Sequence, residues 1–94
     1  MIHVLNYIGG ELRPAIGGTW LEGFEPASGN LFARIADSDH RDVDAAVDAA
    51  EGAQPAWAAL GREGRSKAML RLADAVEADL EAFAAAESRD NGKT

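Results

Sequence analysis

One amphipathic stretch in the second half of the chain is too long for a domain of this size. Apolar side chains recur at steps of three or four, which predicts one helix from within 61–65 to about Ser88. Its apolar side carries Met69, Leu72, Ala73, Val76, Leu80 and Phe83, with Glu87 beyond them. Such a helix would be on the order of 40 Å long, whereas a compact domain of 94 residues has a radius of gyration of about 12 Å. We therefore expect this helix to lie against something outside these residues.

The first third of the chain predicts short strands separated by turns. Runs of β-forming residues lie at 4–8, 19–24 and 31–36, and glycine pairs stand at 9–10 and 17–18. Residues 25–30 form a turn, because proline fixes φ, serine can bond the backbone locally, and glycine or asparagine tolerates positive φ. We expect a hairpin or meander over 4–36, which is too small to cover the long helix.

A first helix is predicted to begin at Asp37-Ser38-Asp39, because short polar side chains cap free backbone N–H groups and suit the helix dipole. The helical part would then cover 37–94, with Gly92 at the end of the second helix. Pro55 should end or kink the first helix near Ala53. Its apolar stripe is Val43, Ala46, Val47, Ala50, Gln54 and Trp57, and its other faces carry Asp42, Asp44, Asp48 and Glu51.

The charge balance restricts the classes of partner. The chain has 16 acidic and 9 basic side chains, a net charge of −7 that disfavours nucleic acid and anionic membranes. No apolar run approaches the roughly 18 residues of a spanning helix, and the first residues lack a signal peptide pattern. A cytoplasmic protein is expected. With 0 cysteines there is no disulfide framework and no thiolate metal site.

None of the residues that carry chemistry in other proteins forms a recognisable site. His3 and His40 have no partner at triad or metal-ligand spacing, so a structural or surface role is expected. The glycine pairs do not form the phosphate-binding G-x-G-x-x-G pattern. The acidic cluster of the first helix lacks the loop of a calcium site, so a solvated face is expected for Asp42, Asp44 and Asp48.

The large aromatic and basic side chains also favour packing over ligand binding. Trp20 and Trp57 flank predicted elements, where core or interface packing is the default. The basic side chains near the start of the second helix stand at the wrong end of the dipole for an anion site. A salt-bridging or interdomain face is therefore expected for Arg62, Arg65, Lys67 and Arg71.

An ordered series of motifs covers the chain roughly from Leu5 to Thr94. It comprises Asn-Tyr-Ile-Gly-Gly at 6–10, Glu-Pro-Ala-Ser-Gly at 25–29, Asp-Val-Asp-Ala-Ala-Val at 42–47 with Ala49-Ala50, Pro-Ala-Trp at 55–57, Arg-Leu-Ala-Asp at 71–74, and Glu87 to Lys93. In this order and spacing the motifs resemble the N-terminal part of NAD(P)-dependent aldehyde dehydrogenases. Glu87-Ser88, Asp90 and Gly92-Lys93-Thr94 are similar to the branch that oxidises muconic semialdehydes, such as 2-hydroxymuconic and 2-aminomuconic semialdehyde dehydrogenases.

The resemblance implies an α/β fold, in which this chain is the outer part of a Rossmann-like cofactor domain: a β-hairpin or meander followed by two α-helices. The family oxidises an aldehyde to a carboxylate with NAD or NADP through a cysteine. That cysteine, the general base and the cofactor loop lie further along the family's chain, so no catalytic, cofactor-binding or metal residue is assigned here. Backbone at Gly23 and Phe24 would hold part of a monovalent cation site, whose other ligands lie beyond Thr94.

Some residues depart from the family's pattern. Gln54 stands where phenylalanine is usual, and Gly61 and Gly64 stand where capping or helix-forming residues are usual, so both changes should weaken helix packing.

Two hypotheses about function follow. The first is a truncated or partial aldehyde dehydrogenase, inactive and without cofactor as an isolated chain, whose partner is the remainder of the fold or a related subunit, with a homo-oligomeric parent. The second is a stand-alone helical interaction module that docks on a partner subunit. Nucleotide sequence past codon 94 would discriminate them, since a continuation encoding a glycine-rich cofactor loop and a cysteine supports the first.

Overall fold

The computed structural model describes residues 1–92, in which five short strands precede three helices. The strands are β1 (Ile2–Val4), β2 (Asn6–Ile8), β3 (Glu11–Arg13), β4 (Trp20–Phe24) and β5 (Leu31–Ala36). β5 is the centre of a three-stranded sheet, with β1 parallel on one side and β4 antiparallel on the other. β2 and β3 form a separate antiparallel hairpin.

The single strand predicted over 4–8 is wrong. Leu5 interrupts it, and the chain leaves β1 in one sheet to enter β2 in the other. The β2–β3 turn is made by Gly9 and Gly10, whose φ angles of 62° and 82° match the left-handed conformation that two-residue hairpin turns require. β3 was not predicted, because its three residues are all exposed and only Leu12 is apolar.

The turn predicted at 25–30 is confirmed and joins β4 to β5. The Gly29 N–H donates to the Glu25 carbonyl at 2.7 Å, and Gly29 has a φ of 75°. The Asn30 N–H donates to the Ser28 hydroxyl at 3.2 Å, which is the local bond expected of a serine in a turn.

The helices are α1 (His40–Ala59), α2 (Gly61–Ala78) and α3 (Leu80–Asn91). Asp39 is the N-cap of α1, as predicted. Of the two predicted effects of Pro55, an end or a kink near Ala53, the end is wrong, because α1 continues through Pro55. Proline removes only one backbone donor, and the alanines that follow at 56, 58 and 59 are the residue type most favourable to helix.

The single second helix predicted to about Ser88 is also wrong, since Asp79 divides it. Asp79 has φ −111° and ψ 25°, and its N–H donates to the Val76 carbonyl at 3.2 Å. Aspartate has a low helix propensity because its short side chain competes for backbone groups. The prediction of Gly92 as the helix end is confirmed: it has φ 77°, and its N–H donates to the Ser88 carbonyl at 2.8 Å. Lys93 and Thr94 lie outside the described residues.

Few of the described residues are buried. Only Ile8, Ala15 and Ala33 among apolar residues are buried, with Asp42 beside them. The radius of gyration is 16.6 Å, against about 12 Å for a compact domain of this length. The expectation of a helix that its own strands do not cover is therefore confirmed.

α1 packs through small residues. Ala45, Ala46 and Ala49 are half-buried, and Ala46 and Ala49 line the space against the β2–β3 hairpin. Only Ala46 belongs to the predicted stripe. Val43 and Val47 stay 57% and 49% exposed, so that stripe remains largely uncovered.

Gly61 and Gly64 have local roles that the sequence did not indicate. Gly61 adopts φ 71° directly after Leu60, which ends α1. A Cβ on Gly64 would lie 3.0 Å from the Leu60 Cβ. Both glycines therefore suit the tight α1–α2 turn.

Gly52→Ala should stabilise α1. Gly52 lies inside the helix, and a Cβ there would meet nothing within 4 Å. The alanine lowers the conformational entropy of the unfolded chain, so we expect a gain of about 0.5–1 kcal/mol. Helicity measured by circular dichroism during denaturation tests this gain. Gly64→Ala is the control, and an equal gain there would contradict the role of its close contact with Leu60.

Candidate functional site

The residues considered as candidates for catalysis or metal binding lie apart from one another, and their contacts are structural. The rings of His3 and Trp20 contact edge to face at 5.3 Å, which links β1 to β4 across the sheet. His40 is the exposed first residue of α1. Within residues 1–92 no three histidine, aspartate or glutamate side chains form a group that could hold a metal ion.

The prediction of a solvated face is wrong for Asp42, which is buried with 4% of its surface exposed. One carboxylate oxygen accepts the Ile16 N–H at 2.9 Å, and the other accepts the Asp39 N–H at 3.0 Å. Asp42 thus holds the loop before β4 against the start of α1. The Asp39-x-x-Asp42 spacing, a capping box, is the sequence signal that could have identified it.

Asp39 completes this helix start. Its carboxylate accepts the Arg41 backbone N–H at 2.9 Å and pairs with the Arg41 guanidinium at 2.8 Å. The hydrogen bonds from Arg41, that of its side chain above all, lower the pKa of Asp39 from 3.8 to about 2. A carboxylate stabilised in this way stays charged at the positive end of the helix dipole.

The cap of α1 should therefore depend on pH in a defined range. A lowered folded pKa means that the contribution of Asp39 is complete above its ordinary pKa of 3.8 and is lost as the pH falls toward 2. We expect the helicity of the chain to decrease over this range by more than that of Asp39→Asn, which keeps a capping oxygen but has no charge to lose. Circular dichroism at stepped pH measures the difference, and identical acid profiles would contradict this assignment.

One candidate surface is the series of exposed apolar residues on α2 and α3, named here the α2–α3 apolar face: Met69, Leu72, Val76, Leu80 and Phe83. Their side chains are between 40% and 60% exposed. Exposed apolar residues in such a series are rare on proteins that need no partner. This face can do no covalent chemistry, but it can bind another apolar surface.

The α1–α2 junction carries the basic residues whose face was predicted to form salt bridges. Lys67 pairs with Glu63 at 3.5 Å, which confirms that prediction for one of them. The Arg65 guanidinium instead donates to the Ala58 carbonyl at 3.1 Å and ties α2 to the end of α1. Trp57 nearby remains 37% exposed.

A second apolar surface lies between α3 and the edge of the sheet. It is an open groove of about 340 Å³, lined by Ile2, Val4, Phe32, Ala86, Arg89 and Asp90. The Arg89 guanidinium lies 5.9 Å from the centre of the Phe32 ring, a cation–π contact. At the end of α3, a Cβ on Gly92 would lie 3.4 Å from Pro26.

The described residues thus offer apolar docking surfaces and a braced helix start, with no helix long and apolar enough to cross a membrane. The family model described as the aldehyde dehydrogenase family matches residues 14–94. The chain belongs to the aldehyde dehydrogenase family. The resemblance stated from the sequence motifs is confirmed.

Individual aldehyde dehydrogenases match nearly the whole chain. Acetaldehyde dehydrogenase 2 of Cupriavidus necator is 47% identical over 94% of this chain and 17% of its own length. The 2-aminomuconic semialdehyde dehydrogenase of Danio rerio is 44% identical over 95% of this chain and 18% of its own length.

A solved structure agrees with the described architecture. The crystal structure of PnpE in complex with nicotinamide adenine dinucleotide superposes with a TM-score of 0.91 at 41% identity, covering 98% of this chain and 19% of PnpE. The predicted α/β class, strands followed by helices from the N-terminal part of the Rossmann-like domain, is confirmed. The chain spans less than a fifth of the length of these two dehydrogenases and of PnpE.

Proposed function

We propose that these residues form the outer N-terminal layer of the cofactor-binding domain in an NAD(P)-dependent enzyme that oxidises an aldehyde to a carboxylate. The observation that carries the proposal is the superposition on PnpE, whose structure contains NAD, over almost all of this chain but only 19% of PnpE. Nothing in the comparisons favours the alternative of a stand-alone interaction module.

The described residues do not fit a dinucleotide. α1 begins with the carboxylates of Asp39 and Asp42, and a negative charge there opposes a pyrophosphate at the helix N-terminus. α2 begins directly at the end of α1 and α3 directly at the end of α2, so neither follows a strand as in a dinucleotide fold. We therefore assign cofactor binding to the remainder of the enzyme, and mechanical support to this chain.

The support acts through the α2–α3 apolar face. Covering one large apolar side chain stabilises a fold by about 1.5–3 kcal/mol. The five residues of this face are between 40% and 60% exposed. Covering them with the remainder of the fold would contribute a stabilising free energy comparable to the whole stability of a small domain, about 5–15 kcal/mol. The partner we propose is thus the rest of the same enzyme. That the enzyme is a homo-oligomer is a further part of the proposal, which rests on the family resemblance alone.

The substrate class that we propose is a muconic semialdehyde. It rests on Glu87, Ser88 and Asp90 within α3, and on the identity of 44% with a 2-aminomuconic semialdehyde dehydrogenase. The greater identity of 47% with an acetaldehyde dehydrogenase makes a short aliphatic aldehyde the second candidate.

A chimera tests the proposed role without knowledge of the substrate. The segment of PnpE that this chain matches would be replaced by residues 1–94, and NAD binding would be measured by titration. Intact PnpE is the control. We expect one cooperative unfolding transition and an NAD affinity within about tenfold of the control, a change of about 1.4 kcal/mol. A chimera that folds but binds no NAD, or whose new segment is removed by limited proteolysis, would contradict the proposal.

The isolated chain should form no NADH or NADPH with any aldehyde. Covalent oxidation in this family needs a thiolate nucleophile, and the chain contains 0 cysteines. Absorbance at the reduced-cofactor band, followed with a panel of aldehydes, measures the rate. A rate proportional to the amount of purified chain, and absent from a mock purification, would contradict the assignment of catalysis to the remainder of the enzyme.

A further inference from the structure

Asn91 is the one asparagine of the chain that precedes a glycine, since Asn6 precedes Tyr7 and Asn30 precedes Leu31. Glycine has no side chain to hinder its own backbone nitrogen, so Asn-Gly is the pair in which that nitrogen reaches the asparagine side chain most easily. Asn91 and Gly92 are both exposed at the end of α3. We propose that Asn91 is a site of spontaneous deamidation, and that the last turn of α3 controls its rate.

The reaction needs only water. The Gly92 nitrogen loses its proton and attacks the Asn91 side-chain carbonyl carbon, and the bond from that carbon to Nδ2 breaks. The Nδ2 group leaves as ammonia with the proton, and a five-membered succinimide ring remains. Water then adds to one of the two ring carbonyls and opens the ring to an aspartate or an isoaspartate at position 91. No electrons are transferred to or from any other group.

The folded turn holds both reacting groups away from this path. The Gly92 N–H donates to the Ser88 carbonyl at 2.8 Å, which fixes the nitrogen along the helix axis. The Asn91 side-chain amide donates to the Glu87 carboxylate at 2.9 Å, which orients the side chain back along α3. Attack requires both hydrogen bonds to open, so the modification rate reports how often the end of α3 unfolds.

The product would disturb the place where α3 meets the strands. A new carboxylate at position 91 would stand beside Glu87 and Asp90, at the helix end where negative charge is unfavourable. An isoaspartate would also lengthen the backbone next to Gly92, which approaches Pro26. Deamidation would therefore loosen the end of α3 from the 25–30 turn.

The test compares the PnpE chimera, in which residues 1–94 lie against the rest of the enzyme, in native buffer and in guanidinium chloride at the same pH and temperature. A lysine-specific protease releases the peptide 68–93, in which Asn91 is the only asparagine, and mass spectrometry measures its conversion to the acid. We expect conversion about 5–30-fold slower in native buffer, the factor that one or two kcal/mol of local stability provides. Equal rates in the two solvents, or no conversion in denaturant, would overturn the proposal.

Two variants show which groups are responsible. Glu87→Ala removes the acceptor of the Asn91 amide and should raise the rate in native buffer while leaving the rate in denaturant unchanged. Asn91→Gln needs a larger, slower ring and should show no conversion in either solvent. Both variants are made in the chimera, and a Glu87→Ala rate equal to that of the unchanged chimera in native buffer would overturn control by this turn.

Discussion

Leu72→Lys in the PnpE chimera should lower the free energy of unfolding by at least about 3 kcal/mol, because it removes the burial of a leucine and places an unpaired charge in an apolar contact. Leu72 belongs to the α2–α3 apolar face, which the remainder of the enzyme would cover. In the isolated chain the same residue is 56% exposed, so the substitution should change helicity very little there. Urea denaturation of the chimera and circular dichroism of the isolated chain measure the two effects.

Leu70→Lys is the matched control for this prediction. Leu70 lies in the same helix and is 63% exposed, but helical spacing puts it on the face that carries Glu63, Lys67 and Asp74. We expect this substitution to change the stability of the chimera by no more than about 0.5 kcal/mol, as for other surface positions. Equal losses for the two leucines would show that the apolar face is not the surface that the enzyme covers.

Asp42→Ala should release the loop before β4 from the start of α1. The substitution leaves the backbone N–H groups of Ile16 and Asp39 without their acceptor, and a hydrogen bond to a charged group contributes about 1.5–3 kcal/mol. We expect those two amide hydrogens to exchange with solvent roughly 10–150-fold faster, the factors that correspond to this range of energy. Hydrogen exchange of the chimera, resolved by residue, measures the change.

Asp44→Ala is the control for Asp42→Ala, because Asp44 is an exposed carboxylate two residues along the same helix. It should leave the exchange of Ile16 and Asp39 unchanged. Unchanged exchange in Asp42→Ala as well would contradict the assignment of this buried carboxylate as the group that joins loop and helix.

The sequence predicted the features that depend on backbone conformation and local hydrogen bonds. Glycine pairs and the 25–30 segment marked turns because positive φ and short polar side chains are local requirements. Asp39 marked the start of α1 and Gly92 the end of α3 for the same reason. The conformation at each of these positions is determined by only a few neighbouring residues, so the sequence alone indicates it.

The features that the sequence did not predict depend on partners far along the chain. The break at Leu5 exists because β1 pairs with β5, about 30 residues away, whereas β2 pairs with β3. The sequence pattern indicates that Asp42 is an exposed acid, because its contact with Ile16 exists only in the folded chain. The predictions at Pro55 and Asp79 were wrong in opposite ways. α1 continues through Pro55 although proline disfavours helix, and α2 ends before Asp79, where aspartate has a low helix propensity.

The apolar character of the candidate site could be predicted from the sequence. The apolar spacing from Met69 to Phe83 identified a surface that these residues do not cover, because helical periodicity is visible without any tertiary contact. The sequence motifs also identified the family. The groove between α3 and the sheet could not be predicted, since it depends on how Arg89 approaches Phe32, which no local pattern records.

Hydrogen exchange along α2 tests most directly whether this chain is a layer that the rest of the enzyme must cover. The backbone amides from Met69 to Val76 would be followed in the isolated chain and in the PnpE chimera under the same conditions. We expect fast exchange in isolation, with opening free energies near zero, and protection in the chimera close to its global stability. Equal and strong protection in both proteins, with the isolated chain a monodisperse monomer, would contradict this account and favour a module that folds alone.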